Sequence, residues 1–152
     1  MAGLYSIVDA GAMFEHLKIK WAKFYSHPTE EELIDTLFPI YHLREWIYRG
    51  KKAAYEGKSD SELTREESID KRLWALPEYK VVQSLCNHSK HYECDPDKNK
   101  EHDTVELRGS PVGLMKCGDS LNSSFFLVDG RDIRDIFIAV YRVYYEYFES
   151  KR

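Results

Sequence analysis

The stretch RDIRDIFIAVYRVYYEYFESK, residues 131–151, carries the clearest structural signal in the chain. Its apolar residues recur at spacings of three and four, which gives a helix a wide apolar face that other elements must cover. Tyrosines also fall on the opposite side, and tyrosine is enriched at protein interfaces. These outer tyrosines indicate either a homodimer interface or half-exposed core aromatics. The predicted apolar face comprises Ile133, Ile136, Phe137, Val140, Tyr144, Tyr147 and Phe148.

Two helices are predicted at the other end of the chain. Apolar spacing indicates the first over residues 8–26. Thr29 and Glu32 have the spacing of a capping box, so a second helix is expected to begin there. Pro39 falls inside its pattern and predicts a kink or a break. Gly50 is the expected C-cap, because glycine is common just past a helix end.

Two more helices are predicted in the middle of the chain. Residues 51–63 are rich in Lys, Glu, Gly and Ser and predict a solvated connection. Thr64 and Glu67 repeat the capping-box spacing and mark the start of a helix. Pro77 interrupts that helix, and proline suits the first position of the next one, over about residues 77–93.

A short β insertion is expected over about residues 104–128. Val105 and Leu107 alternate with polar residues, as in a half-buried strand. Residues 125–128 predict a second strand, and Asp129-Gly130 is taken to close the insertion. The chain is therefore predicted to be one mainly α domain over residues 1–152, an up-and-down bundle of four to five helices with a small antiparallel β-hairpin before the last helix.

Composition excludes several classes of protein. The chain has 152 residues, 43% of them hydrophobic and 32% charged, which is ordinary for a globular domain. The net charge of −4 lacks the broad basic surface of a general nucleic-acid binder, although a local basic site is compatible with it. No signal peptide or apolar run long enough for a membrane span is seen. Three irregularly spaced cysteines fit a reducing cytosol, so a cytoplasmic location is expected.

Arg44 is the first candidate functional residue. It lies on the same stripe as Leu37, Ile40 and Ile47, and a charge on the inner face of a helix is costly unless it is paired. In one interpretation Arg44 reaches the edge of the bundle or pairs with a buried acid. In the other it enters a polar pocket between helices and binds an anion. His42, one turn before Trp46, is expected to pack on an aromatic ring.

The second candidate set lies on the predicted helix 77–93. Gln83, Asn87 and His91 stack at four-residue spacing with Lys90 beside them. An imidazole transfers protons near neutral pH, and a lysine stabilises charge on a phosphate. The set has the groups that metal-independent RNA cleavage needs, and equally suits a polar network between helices. Arg44, His42, Gln83 and His88 are the ligand-binding candidates.

A zinc site is the third possibility, and its spacing is poor. Cys86 and His88 would point about 200° apart on a regular helix. No cofactor is therefore predicted, although zinc is not excluded. The residues from which such a site would be drawn are Cys86, His88, His91, Cys94, His102 and Cys117.

Two short stretches resemble a known pattern. The pair YHLREWI (residues 41–47) and LCNHSKHY (residues 85–92) resembles uncharacterised bacterial and phage helical proteins that carry a His-Leu-x-x-Trp-Ile helix and an Asn-x-x-Lys-His helix. The layout also resembles the HEPN group of RNA-processing proteins and toxins, whose motif is an Arg, often followed by Asn, and a later His. Asn87 and His91 match, but Cys86 stands where that arginine belongs.

Two functions follow as expectations. The leading one is a helical binding domain of bacterial or phage origin, a homodimer, with a polar and anion-binding site between helices. Its partner would be RNA or another protein. The alternative, implied by the resemblance, is a ribonuclease in which His91 is the acid/base, Asn87 orients the phosphate, and Lys90 or Arg44 replaces the missing arginine.

Overall fold

The computed structural model describes residues 5–90, 101–109 and 111–150. The predicted class is confirmed: the described ranges contain five α-helices, with a small antiparallel sheet before the last of them. Two short 3-10 turns, Lys52–Ala54 and Asp60–Glu62, lie between the second and third helices. The elements are α1 Ala10–Ser26, α2 Glu30–Ile47, α3 Arg65–Ala75, α4 Pro77–Lys90, β1 Thr104–Arg108, β2 Ser124–Val128, β3 Arg131–Asp132 and α5 Ile133–Glu149.

Helices α1 and α2 form an antiparallel hairpin. The Lys20 ammonium on α1 lies 2.6 Å from the Asp35 carboxylate on α2. Lys23, three residues later in α1, pairs with Glu32, which is three residues earlier in α2. This order of pairing requires the two helices to run in opposite directions. Each pair has at least one exposed partner and adds little stability, so the apolar faces beneath them hold the hairpin together.

Helix α5 closes the bundle through aromatic contacts with α1. The Phe14 and Phe148 rings stack with centroids 4.5 Å apart, and Trp21 stacks on Tyr141 at 5.8 Å. Rings packed in this way contribute about 0.5–1.5 kcal/mol beyond the area they bury. The predicted apolar face of α5 is confirmed. Ile133, Ile136, Phe137, Val140 and Tyr144 are buried, while Tyr147 and Phe148 are partly buried.

The predicted starts of α2 and α3 are confirmed, but one capping box is incomplete, and α5 begins at Ile133 instead of residue 131 because Arg131 and Asp132 form β3. At the start of α3 the Thr64 hydroxyl accepts from the Glu67 amide, and the Glu67 carboxylate accepts from the Thr64 amide. At the start of α2 the Thr29 hydroxyl accepts from the Glu32 amide at 3.2 Å. The Glu32 carboxylate binds Lys23 on α1 instead of reaching back, because the packed neighbouring helix supplies a cation.

Helix α2 differs from the prediction at Pro39 and at its C-terminal end. Of the kink or break expected at Pro39, the break is wrong: the helix continues through this buried residue, because packing on the neighbouring helices compensates for the lost backbone hydrogen bond. The helix ends at Ile47, and Tyr48 caps it by donating its amide to the Arg44 carbonyl at 2.8 Å. Gly50 is therefore not the C-cap. The Tyr48 ring lies where a Cβ at position 50 would be.

The sheet has one strand more than the sequence predicted. Strands β1 and β2 pair antiparallel, with Thr104 opposite Val128, as expected. Asp129 and Gly130 do not close the insertion. They have φ values of 51° and 77° and form a two-residue turn into β3, where Arg131 pairs with Val128. Asp-Gly with two positive φ values is typical of a tight hairpin turn, and that signal in the sequence was missed.

A buried ion cluster attaches the long β1–β2 connection to α5. The side chain of Arg134 is 1% exposed and donates to Asp119 at 2.7 and 3.0 Å and to Asp132 at 2.9 Å. The Tyr25 and Phe125 rings lie 5.6 and 5.4 Å from the guanidinium. Removing one carboxylate would leave part of a buried charge without its partner.

Asp119→Asn is expected to destabilise the fold by about 2 kcal/mol at pH 7. Hydrogen bonds from Arg134 hold the pKa of the Asp119 carboxyl below its ordinary value. The stability it contributes is therefore complete above the unfolded-state pKa of about 3.9 and is lost as the pH falls through the lower folded-state value. Urea unfolding at pH 7, 5 and 3 should show the gap between wild type and variant narrowing only below about pH 4.

Asp135→Asn is the matched control for this prediction. It removes the same charge from an exposed pair with Lys116, and should change the free energy of unfolding by less than about 1 kcal/mol. An Asp119→Asn effect that is equally large at pH 3 and pH 7 would show that packing, not charge, is responsible.

Candidate functional site

Arg44 pairs with a buried acid where α2, α3 and α4 meet. Its side chain is 13% exposed, and its Nη1 donates to Asp70 Oδ1 at 2.7 Å. Its Nε donates to the Tyr79 hydroxyl at 3.0 Å, and the guanidinium lies over the Trp74 ring at 5.0 Å. Arg44 therefore pairs with a buried acid, as the first of its two interpretations predicted. It also lines a cavity.

Asp70 is the centre of this contact. Its side chain is 1% exposed, and its second oxygen accepts from the Tyr55 hydroxyl at 2.6 Å. The Tyr79 hydroxyl in turn donates to the Tyr41 carbonyl at 3.0 Å. Burial and the hydrogen bond to Asp70 raise the pKa of Tyr55 well above its ordinary value. Burial by itself lowers the pKa of Arg44, but the hydrogen bonds and charges of Asp70 and Tyr79 together outweigh burial and raise that pKa.

A second polar group lies on the other side of the same stretch of α2. His42 Nδ1 lies 3.0 Å from Glu45 Oε2, and the Lys90 ammonium lies 2.6 Å from His42 Nε2. Lysine only donates, so His42 accepts at Nε2 and carries its proton on Nδ1, which faces the carboxylate. The other Glu45 oxygen lies 3.5 Å from Arg44 Nη2. Glu45 thus joins two sets of contacts: His42 and Lys90 on one side, and Arg44 and Asp70 on the other.

The remaining candidates on α4 are spread over different neighbours. Gln83 hydrogen bonds to the Tyr41 hydroxyl. Asn87 is partly buried on α4, and His88 lines a separate cavity beside β1. His91 lies outside the described residues. His42 packs on aromatic rings as expected, with Tyr41 at 4.9 Å and Phe38 at 6.5 Å between centroids.

Among the described residues no three of the zinc candidates come together, although His88 and His102 line one cavity. Cys86 is fully buried, and its Sγ lies 4.0 Å from His42 Nε2. Burial raises the pKa of the Cys86 thiol, which disfavours the thiolate that a metal needs. Cys117 is exposed in the β1–β2 connection, and Cys94 lies outside the described residues. The described residues contain no group of three His, Cys, Asp or Glu side chains placed to hold a metal ion.

Arg44 lines a cavity of about 490 Å³, here called the Arg44 cavity. Four of its lining residues are cationic and one, Asp70, is anionic and already paired with Arg44. The lysines are exposed, and within the described part of the chain none of them pairs with a carboxylate. The lining residues are Arg44, Gly50, Lys51, Lys52, Asp70, Trp74 and Lys80.

Local folding places these lysines around Arg44. Helix α2 ends at Ile47, and the Tyr48 hydroxyl donates to the Lys51 carbonyl at 3.2 Å, which ties Lys51 to the residue that follows the helix. Lys52 begins the 3-10 turn that leads to Tyr55. Lys80 lies in the first turn of α4, one residue after Tyr79.

Asp70 was missed at the sequence level, although a signal for it was present. It lies one residue after Ile69 and three before Leu73, both of which are buried, so it occupies the apolar face of α3. That is the pattern that singled out Arg44. An acid and a base on the inner faces of two helices predict an ion pair. Either residue considered alone does not show which partner it has.

Comparison of the chain with protein-family models, with curated proteins and with solved structures found no match. The resemblance to the HEPN group therefore stays a prediction, and functional proposals depend on the geometry of the cavities and polar contacts. No helix in the described ranges has both the length and the apolar character needed to cross a membrane.

Arg44 and Asp70 are expected to be strongly coupled in stability. Arg44→Met leaves the Asp70 carboxylate buried without its cation and should cost about 3–5 kcal/mol in the free energy of unfolding. Arg44→Met with Asp70→Asn should cost less than the sum of the single changes, by at least about 1 kcal/mol. Urea unfolding of all four proteins measures this coupling.

The exposed pair Arg72–Glu146, 2.6 Å apart and about half exposed on both sides, is the control. The same cycle there should give a coupling below about 1 kcal/mol. Additive effects of the Arg44 and Asp70 substitutions would show that the contact does not hold the helices together.

Proposed function

We propose that the chain is a helical binding domain that holds a small anionic ligand in the Arg44 cavity. The observation that supports this most is the charge of the cavity wall. Lys51, Lys52 and Lys80 surround the paired Arg44 and Asp70, so the wall carries a net charge of about +3 in a chain whose total is −4. Like charges gathered around one cavity repel one another, and an anion bound there relieves that repulsion.

The form of the cavity supports a ligand with a compact anionic group. Lysine binds phosphate as a point charge, and three flexible lysines adapt to several oxygens at once. Arg44 lines the same cavity, and its contacts with Asp70 and Tyr79 hold it in place there. Trp74 adds an apolar wall for the uncharged part of a ligand.

Pyrophosphate is the probe for this proposal. Calorimetric titration at low salt should show binding that weakens several-fold between about 50 and 200 mM NaCl, because exposed charges are screened. Lys51→Ala and Lys80→Ala should each weaken binding about fivefold, which corresponds to about 1 kcal/mol. Both lysines are exposed, so neither change should affect folding.

Lys18→Ala is the matched control, since it removes one positive charge from α1, away from the cavity. It should leave the affinity for pyrophosphate unchanged. Equal losses in all three variants would indicate attraction by overall charge, and no binding in the wild type would refute the proposal.

The same proposal includes a homodimer through α5. Most of the tyrosines in that helix have partners within the chain: Tyr144 donates to the Ile40 carbonyl and Tyr141 stacks on Trp21. Tyr145 is 48% exposed beside Tyr141, and it supports an interface on this side of the helix. Light scattering on the preparations used for titration tests it, and a 17.9 kDa species at high concentration would refute it.

A metal-independent ribonuclease is the alternative, and one observation favours it. Lys90 is exposed, its ammonium lies 2.6 Å from His42 Nε2, and it lies 5.7 Å from each of the Phe38 and Tyr41 rings. A lysine held in this way beside an imidazole suits a developing charge on phosphate. His91 would be the acid/base and Asn87 would orient the phosphate, with Lys90 in the role of the missing arginine.

This alternative predicts that expression of the wild type degrades cellular RNA and that His91→Ala abolishes the effect. Gel analysis of total RNA after induction measures it. His27→Ala is the control, because His27 is exposed at the end of α1, far along the chain from α4. Intact RNA under full expression of the wild type would rule out the ribonuclease.

A further inference from the structure

A second cavity, of about 280 Å³, lies between the end of α4 and the start of β1, here called the histidine cavity. His88 Nε2 is buried and has no hydrogen-bond partner among the described residues. A buried polar nitrogen without a partner is energetically unfavourable, so its position calls for a ligand. The lining residues are Leu85, His88, Glu101, His102 and Thr104.

His102 in the same cavity is oriented by a carboxylate. Its side chain is 5% exposed, and its Nδ1 lies 2.7 Å from Asp129 Oδ2. The other Asp129 oxygen accepts from the Asp103 amide at 3.0 Å, and the Asp129 amide donates to the Asp103 carbonyl at 2.8 Å. These bonds hold Asp129 at a φ of 51°, which a residue other than glycine rarely adopts. Among the described residues, Nε2 is therefore the ring nitrogen that His102 has left for a ligand.

We propose that His88 and His102 form a binding site for a divalent transition-metal ion of the zinc and nickel class. Imidazole nitrogen is a preferred ligand of these ions. A histidine that ligates a metal through one nitrogen commonly donates the other N–H to a carboxylate, which is the relation of His102 to Asp129. Coordination also supplies the partner that His88 Nε2 lacks.

Two imidazoles are the ligands that the described residues supply. Glu101 lines the exposed rim of the cavity and adds negative charge, and water takes the remaining positions around the ion. A site with two protein ligands and water binds reversibly, unlike a closed structural zinc site with four. This site is separate from the Arg44 cavity, so it does not depend on the proposed anion binding.

The experiment uses untagged full-length protein that has been treated with a chelator and dialysed. Calorimetric titration with Zn²⁺ should give one ion per chain, and Co²⁺ should produce visible absorption bands from nitrogen ligands. His88→Gln and His102→Gln should each weaken Zn²⁺ binding at least tenfold. Asp129→Asn keeps the side-chain shape but removes the charge behind His102, and should give a smaller loss, about two- to fivefold.

His27→Gln is the matched control and should bind Zn²⁺ like the wild type, while circular dichroism verifies that each variant is folded. Less than about 0.1 equivalent of Zn²⁺ bound by the wild type would overturn the proposal. Binding that survives His88→Gln and His102→Gln but is lost in His91→Gln or Cys94→Ser would also overturn it, because the ligands would then be others.

Discussion

A carboxylate buried between three helices has to be neutralised, and Arg44 is the group that does so. Asp70 is almost fully enclosed, and its two oxygens bind Arg44 and Tyr55. A charge in that position is tolerated only when its partner is held at hydrogen-bonding distance. The contact therefore determines how α2 lies against α3, and Tyr79, which bonds to both Arg44 and the α2 backbone, extends the same constraint to α4.

The cavity beside this contact follows from it. The Arg44 guanidinium is held by Asp70 and Tyr79 and lies over the Trp74 ring, and Arg44, Asp70 and Trp74 all line the cavity. The segment after α2 contributes Lys51 and Lys52 to the same cavity, and α4 contributes Lys80. The structural role of Arg44 and the proposed binding role are therefore compatible: the first holds Arg44 in the cavity lining, and the exposed lysines supply the charge that a ligand would meet.

The fold could be predicted from the sequence to the extent that local signals decided it. The apolar spacing of α5, the Thr64 cap and Pro77 mark elements that depend on neighbouring residues alone. Pro39 shows the limit, because packing on other helices outweighs a local helix breaker. Glu32 shows the same limit, because whether its carboxylate binds the Thr29 amide or the Lys23 ammonium depends on the neighbouring helix α1.

The candidate sites were predictable only in part, for the same reason. Arg44, His42 and Lys90 were singled out by residue type and helical position, and His42 and Lys90 do meet. Asp70, Tyr79 and the lysines belong to the Arg44 cavity through tertiary packing, which helical spacing does not encode. His102 and Asp129 are 27 positions apart and are joined by the pairing of β1 with β2.

The three polar clusters differ in how completely their charges and polar atoms are already paired. Arg134 is enclosed, and its guanidinium is matched by two carboxylates and two aromatic rings, so nothing remains for a ligand to bind. The Arg44 cavity and the histidine cavity differ in that respect. Among the described residues, the three lysines of the first have no carboxylate partner, and a buried imidazole nitrogen of the second has no hydrogen bond. A bound anion would reduce the repulsion among the lysines, and a bound metal ion would supply the partner that the imidazole nitrogen lacks.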